Sequence, residues 1–210
     1  LKEEEHVGKT IEKDCIITLL EACANCRDQL MLLLLSETGF RIGELLGIRY
    51  TQDIDYDKRV IRVEYREDNE NAARAMNAEY RRAKISAETM EILMYYLSEN
   101  RELLKDGDYL FVNLSGENAG EPENVNTVYA MLGRLEEKTG IKATPHMLRH
   151  YFANERRKSG WDLALISKAL GHRHISTTEK YLNIDADELS QATDEFYSKN
   201  KSLYMVDKLI

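Results

Sequence analysis

Five side chains of this sequence have the types and spacing that phosphate chemistry requires. They are two arginines, two histidines and a tyrosine: Arg41, His146, Arg149, His172 and Tyr181. An arginine offers a planar fork of N–H donors that matches phosphate oxygens, and a histidine donates hydrogen bonds or moves protons near neutral pH. A tyrosine is a nucleophile only where cations and donors stabilise its phenolate, because the free phenol has a pKa of about 10.

The five residues together predict attack of Tyr181 on a phosphodiester. Arg41 and Arg149 would neutralise the two non-bridging oxygens as charge builds in the pentavalent transition state. His146 and His172 would hydrogen-bond the same oxygens and handle the proton of the nucleophile. The products would be a 3′-phosphotyrosyl link and a free 5′-hydroxyl. Such an ester conserves the bond energy and arginines supply the charge, so the pattern calls for no cofactor and no metal.

Each motif taken alone also has a simpler interpretation. Arg41 could pair with Glu44 three residues later, and His146 with Arg149 could form an ordinary helix cap. A tyrosine on a short helix usually belongs to the core. The prediction of chemistry therefore rests on the set and not on any one member. His150 is expected on another face of its helix, in a structural role.

The elements that must position these residues are mostly helices. Helical spacing and caps predict helices over Ile11–Cys23, Asp28–Glu37, Arg41–Gly47, Ala87–Lys105, Asn126–Gly140, Pro145–Lys158, Asp162–Leu170, Ser176–Leu182 and Ala186–Lys199. Short β-rich stretches predict strands at Asp53–Asp55, Val60–Tyr65 and Arg81–Ile85, with a long polar connection at Asn69–Glu79. The predicted fold class is mainly α with a small three-stranded antiparallel β-sheet (α+β).

Composition sets limits on the class of protein. The 210 residues are 43% apolar and contain no run long enough to span a membrane. A cytoplasmic location is expected from the cysteines, which are interpreted below as reduced. The net charge of −8 argues against simple nucleic-acid binding, but residues 142–182 carry 8 Lys/Arg against 3 Asp/Glu. Three cysteines, Cys15, Cys23 and Cys26, lack a second ligand pair and are interpreted as reduced thiols.

The order of the motifs TGFRIGELL, HMLRH, LGH and ISTTEKY resembles the tyrosine recombinase (phage integrase) family over roughly residues 10–185. The resemblance implies the catalytic-domain fold of that family and a site-specific recombinase or integrase that acts on double-stranded DNA, here for a mobile element. It implies that Arg41, His146, Arg149 and His172 surround the scissile phosphate and that Tyr181 is the nucleophile.

One family position has no clear match. Members carry a lysine on a β-hairpin, which is proposed to protonate the leaving 5′-oxygen, but no lysine lies between Lys58 and Lys84. Lys84 is the predicted equivalent. DNA contacts are predicted for a set of basic residues, namely Arg81, Arg82, Arg156, Arg157 and Arg173.

The resemblance also suggests how the chain is organised. Residues 1–9 are predicted to be a linker from a missing N-terminal DNA-binding domain, 10–198 the catalytic domain, and 199–210 an apolar tail. The tail is expected to dock either on its own domain or on a neighbouring copy, because the family assembles as tetramers on DNA. Two alternatives remain: a DNA-binding regulator that has lost the chemistry, and a type IB topoisomerase.

Overall fold

The computed structural model describes residues 10–67, 69–71, 73 and 81–172, within which helices surround one small sheet. The helices are Lys13–Ala22 (α1), Cys26–Thr38 (α2), Ile42–Leu46 (α3), Ala87–Glu99 (α4), Arg101–Leu104 (α5), Val125–Thr139 (α6), Pro145–Lys158 (α7) and Leu163–Leu170 (α8). The strands are Ile54–Asp55 (β1), Val60–Val63 (β2) and Arg81–Lys84 (β3). The mainly α class with a three-stranded sheet is confirmed.

Helix α2 forms the centre of the core. Leu30, Leu32, Leu34 and Leu35 have no exposed surface, because the apolar run covers all sides of the helix. The helix packs against α1, α3, α4 and α7. It therefore serves as the frame on which residues from both halves of the chain meet.

Several helix ends lie where the sequence predicts them. Ser86 and Thr144 cap α4 and α7 by accepting hydrogen bonds from backbone N–H groups three residues later. Gly39 ends α2 in the left-handed conformation, with φ of 60°. A Cβ at Gly39 would also lie 2.7 Å from Cδ1 of Phe152, so this glycine brings α2 and α7 close together.

The sheet is an antiparallel meander in the order β1-β2-β3. Ile61 of β2 pairs with Ala83 of β3, and Val63 pairs with Arg81. Because side chains alternate along a strand, Arg81 and Ala83 face one side while Arg82 and Lys84 face the other. Arg81 and Ala83 are the less exposed pair, so the inner face of β3 begins with a charged residue.

Some predicted boundaries were wrong. Helix α1 begins at Lys13 and not at the predicted Ile11, and the long helix predicted from Ala87 is broken at Asn100 into α4 and α5. Part of the β2–β3 connection is also held firmly, since Ala73 is buried in the core. The amide of Asn71 donates to the carbonyls of Leu46 and Glu123, at 3.0 and 2.8 Å.

Three predictions lie outside the described residues. They are the linker 1–9, the helices predicted at Ser176–Leu182 and Ala186–Lys199, and the tail 199–210.

The cysteines are free thiols, as predicted. Burial raises the pKa of Cys23 to about 12, which keeps this thiol protonated. Among the described helices, none combines the length and apolarity that a membrane crossing requires.

Candidate active site

Arg41 lies at the N-cap of α3, three residues after the end of α2. Its Nη1 is 3.0 Å from Oε1 of Glu44, and its backbone N–H donates to Oε2 of the same carboxylate at 2.7 Å. The simple i,i+3 pairing considered for this arginine therefore exists. The side chain nevertheless remains 25% exposed, so the pair with Glu44 orients the guanidinium without enclosing it.

Arg149 lies in the second turn of α7, whose start is fixed by Thr144 and Pro145. It is only 3% exposed. Its Nη1 donates to the carbonyl of Gly39, and its Nη2 donates to the carbonyl of Leu170 at 2.6 Å. These carbonyls follow the last turns of α2 and α8, where the helix dipoles favour a cation. The fold thus holds Arg149 by two helix C-termini.

His172 lies after the end of α8, just beyond the left-handed Gly171, and contacts Arg149. Its Nε2 lies 2.9 Å from Nη2 of Arg149. A guanidinium only donates, so Nε2 must accept and the imidazole proton must sit on Nδ1. Burial, reinforced by the positive charges of Arg149, Arg41 and Arg81, lowers the pKa of His172 to about 4. The imidazole is therefore neutral at physiological pH.

Arg81 does not lie where a DNA contact requires it. It is 5% exposed, and its Nη1 is 2.7 Å from Oε2 of Glu44. Its Nη2 donates to the carbonyl of Thr38 at 2.7 Å, and Nη1 also reaches the carbonyl of Leu170 at 3.3 Å. The geometry does not favour the predicted DNA contact of Arg81, because its guanidinium is turned into the protein.

Charge at this site is not balanced. A Cβ added to Gly171 would lie 3.9 Å from Nη1 of both Arg41 and Arg81, so the two guanidinium groups flank this glycine. Among the described residues, the site with Arg149 holds three guanidinium groups against one carboxylate, that of Glu44. The imidazole beside them is uncharged. We call Arg41, Glu44, Arg81, Arg149 and His172 the arginine cluster; its surplus of two positive charges suits a phosphate group.

His146 lies at the start of α7 as predicted, but its partner was not foreseen. Its Nε2 lies 3.0 Å from Nε2 of His150, so one ring donates and the other accepts. The expectation that His150 occupies a different face was wrong, because residues four apart share one face of a helix. Burial and the charge of Arg149 both lower the pKa of His146.

Lys84 and two predicted DNA contacts line a separate cleft of about 560 Å³. The basic residues around it are Arg59, Arg82, Lys84 and Arg156. Arg156 lies over the ring of Phe152 at 4.9 Å and over that of Trp161 at 5.4 Å. Arg157, on the same last turn of α7, is half-buried. Lys84 extends from the face of β3 opposite Arg81, so the fold does not bring it to the arginine cluster.

Two predicted residues, Tyr181 and Arg173, lie outside the described part of the chain. Within residues 10–67, 69–71, 73 and 81–172, no group of three or more His, Cys, Asp or Glu side chains is arranged to hold a metal ion.

The sequence contains a signal that indicates the inward position of Arg81. Arg81, Ala83 and Ile85 are two residues apart, and Ile85 is buried. The period of a strand therefore places Arg81 on the core side. Similarly, the spacing of four between His146 and His150 is a signal for their contact, because residues four apart share one face of a helix.

This chain matches one family model and is similar to several known proteins. A model of the phage integrase family matches residues 9–188. Transposase A from transposon Tn554 of Staphylococcus aureus is 30% identical over 194 residues, covering 92% of this chain and 54% of that protein. Tyrosine recombinase XerA of Pyrococcus furiosus is 33% identical over 194 residues, covering 91% of this chain and 59% of that protein. The chain thus spans somewhat more than half the length of these relatives.

Solved structures show the same fold. The crystal structure of XerA recombinase has a TM-score of 0.72 at 28% identity, and covers 97% of this chain and 67% of that one. The Tn1549 transposon integrase, in complex with a circular intermediate DNA, also has a TM-score of 0.72, at 21% identity. That match covers 93% of this chain and 68% of the integrase chain.

Proposed function

We propose, on the premise that the chain belongs to the phage integrase family, that it is a site-specific DNA recombinase that works through a 3′-phosphotyrosyl intermediate. The observation that carries the proposal is the arginine cluster. Its surplus of two positive charges lies beside a neutral imidazole, and Arg41 keeps a quarter of its side chain exposed. A scissile phosphodiester is the anion that such a site fits in an enzyme of this family.

The proposed reaction replaces one phosphorus–oxygen bond by another and transfers two protons. The phenol oxygen of Tyr181 attacks phosphorus and passes its proton to His146, while the bond to the 5′-oxygen breaks and that oxygen gains a proton. Arg41 and Arg149 stabilise the charge on the non-bridging oxygens. His172, as the Nδ1–H tautomer, keeps Arg149 oriented and has a donor for phosphate, and His146 hydrogen-bonds at the edge of the site. Rejoining runs the same steps in reverse.

The proton donor for the 5′-oxygen is a separate part of the proposal, with Lys84 as its candidate. Lys84 lines the cleft beyond β3, so this role requires the strand or the DNA to bring it to the phosphate. A Lys84→Met variant should then cleave an ordinary phosphodiester slowly. It should cleave normally a substrate whose bridging 5′-oxygen is replaced by sulfur, because a thiolate leaves without a proton. Equal losses on both substrates would rule out Lys84 as the acid.

DNA contacts outside the reacting phosphate are proposed for Arg82, Arg156, Arg157 and Arg173. Arg82 and Arg156 share a basic cleft, which supports a role in binding the phosphate backbone. Such contacts position the duplex and do not read its sequence. Each substitution should therefore weaken binding to all duplexes alike and reduce the salt dependence of binding.

The biological setting is proposed from the relatives. A transposon protein is among them, which supports a role in moving a mobile element, and the family suggests a tetramer on DNA in the cytoplasm. In that assembly the tail 199–210 would dock on its own domain or on a neighbour. Unchanged DNA-dependent cross-linking after truncation at Ser198 would rule out docking on the neighbour.

One experiment tests the central proposal. The chain is incubated with a pool of nicked suicide duplexes of randomised sequence, from which the cleaved 5′ fragment diffuses away. We expect a covalent protein–DNA adduct from the wild type and none from Tyr181→Phe. No wild-type adduct would refute the tyrosine mechanism and favour a DNA-binding regulator, whereas an equal adduct from Tyr181→Phe would refute Tyr181 as the nucleophile. Exchange of strands between two duplexes would separate a recombinase from a type IB topoisomerase.

A further inference from the structure

We infer that Arg81 is a positioning residue of the proposed phosphate site. It shares the carboxylate of Glu44 with Arg41, so that this carboxylate does not neutralise Arg41, which can then bind a phosphate. The inference rests on the proposed function. Arg81 itself is enclosed and bonded to three acceptors, so it acts through its neighbours and does not touch DNA.

The first step is the sharing of one carboxylate by two arginines. Oε2 of Glu44 accepts from Nη1 of Arg81 and from the backbone of Arg41, both at 2.7 Å. Oε1 accepts from Nη1 of Arg41 at 3.0 Å. Without Arg81, Glu44 and Arg41 would form a neutral pair. With Arg81, the same three groups carry one net positive charge, and Arg41 is oriented without being neutralised.

The second step links Arg81 to Arg149. Both guanidinium groups donate to the carbonyl of Leu170, at 3.3 Å from Arg81 and at 2.6 Å from Arg149. They also bind consecutive carbonyls at the end of α2, those of Thr38 and Gly39. One strand residue therefore holds the ends of α2 and α8 together, and these ends are the supports of Arg149.

The third step is the close fit at Gly171. Its φ of 64° already favours glycine, and an added Cβ would lie 3.3 Å from Cδ of Arg81. The absence of a side chain there lets Arg81 pass between α8 and Arg41. A planar fork of the length of arginine fits this position, whereas a lysine offers one ammonium group for acceptors on three elements.

The test compares Arg81→Met and Arg81→Lys with a matched surface variant, Arg101→Met, whose side chain is 83% exposed on α5. All are assayed by single-turnover adduct formation on the duplex pool, well below their unfolding temperatures. We expect Arg81→Met to cleave about 10- to 100-fold more slowly, the effect of one charge-assisted hydrogen bond, with DNA affinity nearly unchanged. Arg81→Lys should recover part of the rate, and Arg101→Met should behave as wild type.

A DNA-free measurement separates this inference from the proposed function. An NMR titration should show the pKa of His172 rising from about 4 in Arg81→Met, because one neighbouring positive charge is gone, and unchanged in Arg101→Met. A wild-type cleavage rate in Arg81→Met, or an unmoved His172 pKa, would overturn the inference. Lack of an adduct from the wild type would count against the proposed function instead, and the titration would then decide the role of Arg81 alone.

Discussion

The two ends of α2 each carry buried charge, but with opposite balance. At its start, Arg27 pairs with Asp28 at 2.8 Å and with Glu123, and all three side chains are enclosed. At its end, the arginine cluster sets three guanidinium groups against Glu44. Both arrangements agree with the helix dipole, which favours anions at the start and cations at the end.

The difference lies in what each end leaves unsatisfied. One arginine between two carboxylates is a closed structural unit, into which no ligand has access. Among the described residues, three arginines surround one carboxylate at the other end, and Arg41 is partly exposed, so this end suits an anion. Burial of charge therefore does not by itself identify a functional site, whereas a surplus of one sign with an opening to solvent does.

The largest effect is expected where the enclosed ion pairs at the start of α2 are broken. Arg27→Met should cost about 3–5 kcal/mol of unfolding free energy, because Asp28 and Glu123 would remain buried without their cation. Chemical denaturation measures the loss, with Arg101→Met as the exposed control. Residual folded Arg27→Met should cleave DNA at the wild-type rate. A denaturation midpoint equal to that of the control would remove the structural interpretation of this end.

The unbalanced end should show the reverse pattern. Arg149→Lys keeps the charge but loses the fork that spans the carbonyls of Gly39 and Leu170. We expect adduct formation to fall about 10²- to 10³-fold, the usual cost of one transition-state donor. The loss of stability should be smaller than in Arg27→Met. Wild-type cleavage by Arg149→Lys would show that the cluster is not the phosphate site.

A smaller effect is expected from Glu44→Gln. The amide keeps the shape of the side chain but has one acceptor oxygen where the carboxylate has two, and the cluster charge rises from two to three. Adduct formation should fall about tenfold as Arg41 loses a charge-assisted contact. Binding to DNA, measured by fluorescence anisotropy, should not weaken. A parallel loss of rate and affinity would instead indicate local unfolding of α3.

The smallest effect is a dependence of stability on pH. The pKa of His172 is about 4 in the folded protein and about 6.5 when unfolded, so the unfolded state binds the proton first as pH falls. The contribution of the neutral His172 to the free energy of unfolding is therefore complete above pH 6.5, and it declines as the pH falls towards 4. Denaturation curves should show a steeper decline for wild type than for His172→Gln, by at most about 1.4 kcal/mol per pH unit. Parallel declines would contradict a neutral, buried imidazole.

Local signals were sufficient for much of the fold. The left-handed Gly39 and Gly140, the caps at Ser86 and Thr144, and the three strands lie where sequence patterns predict them. These features depend on neighbours within a few residues. The break of α4 at Asn100 does not follow from such patterns, because the apolar spacing continues across it.

The partners of the charged residues were harder to predict. Arg41, Arg149 and His172 were found because their types and order are distinctive. Arg81 was predicted to contact DNA, and its buried position depends on partners that are distant in sequence. Its partner Glu44 is 37 residues away in sequence, and Glu123 is 96 residues from Arg27. Contacts across such distances exist only once the helices have packed.

The alternation of β3 also has a consequence for folding specificity. If the strand shifted by one residue against β2, Arg82 would replace Arg81 in the cluster at little electrostatic cost. Lys84 would then take the position of Ala83, opposite the fully buried Ile61, and would carry an unpaired ammonium group into the core. Lys84, whatever it contributes to the reaction, thus discriminates between two otherwise similar strand pairings.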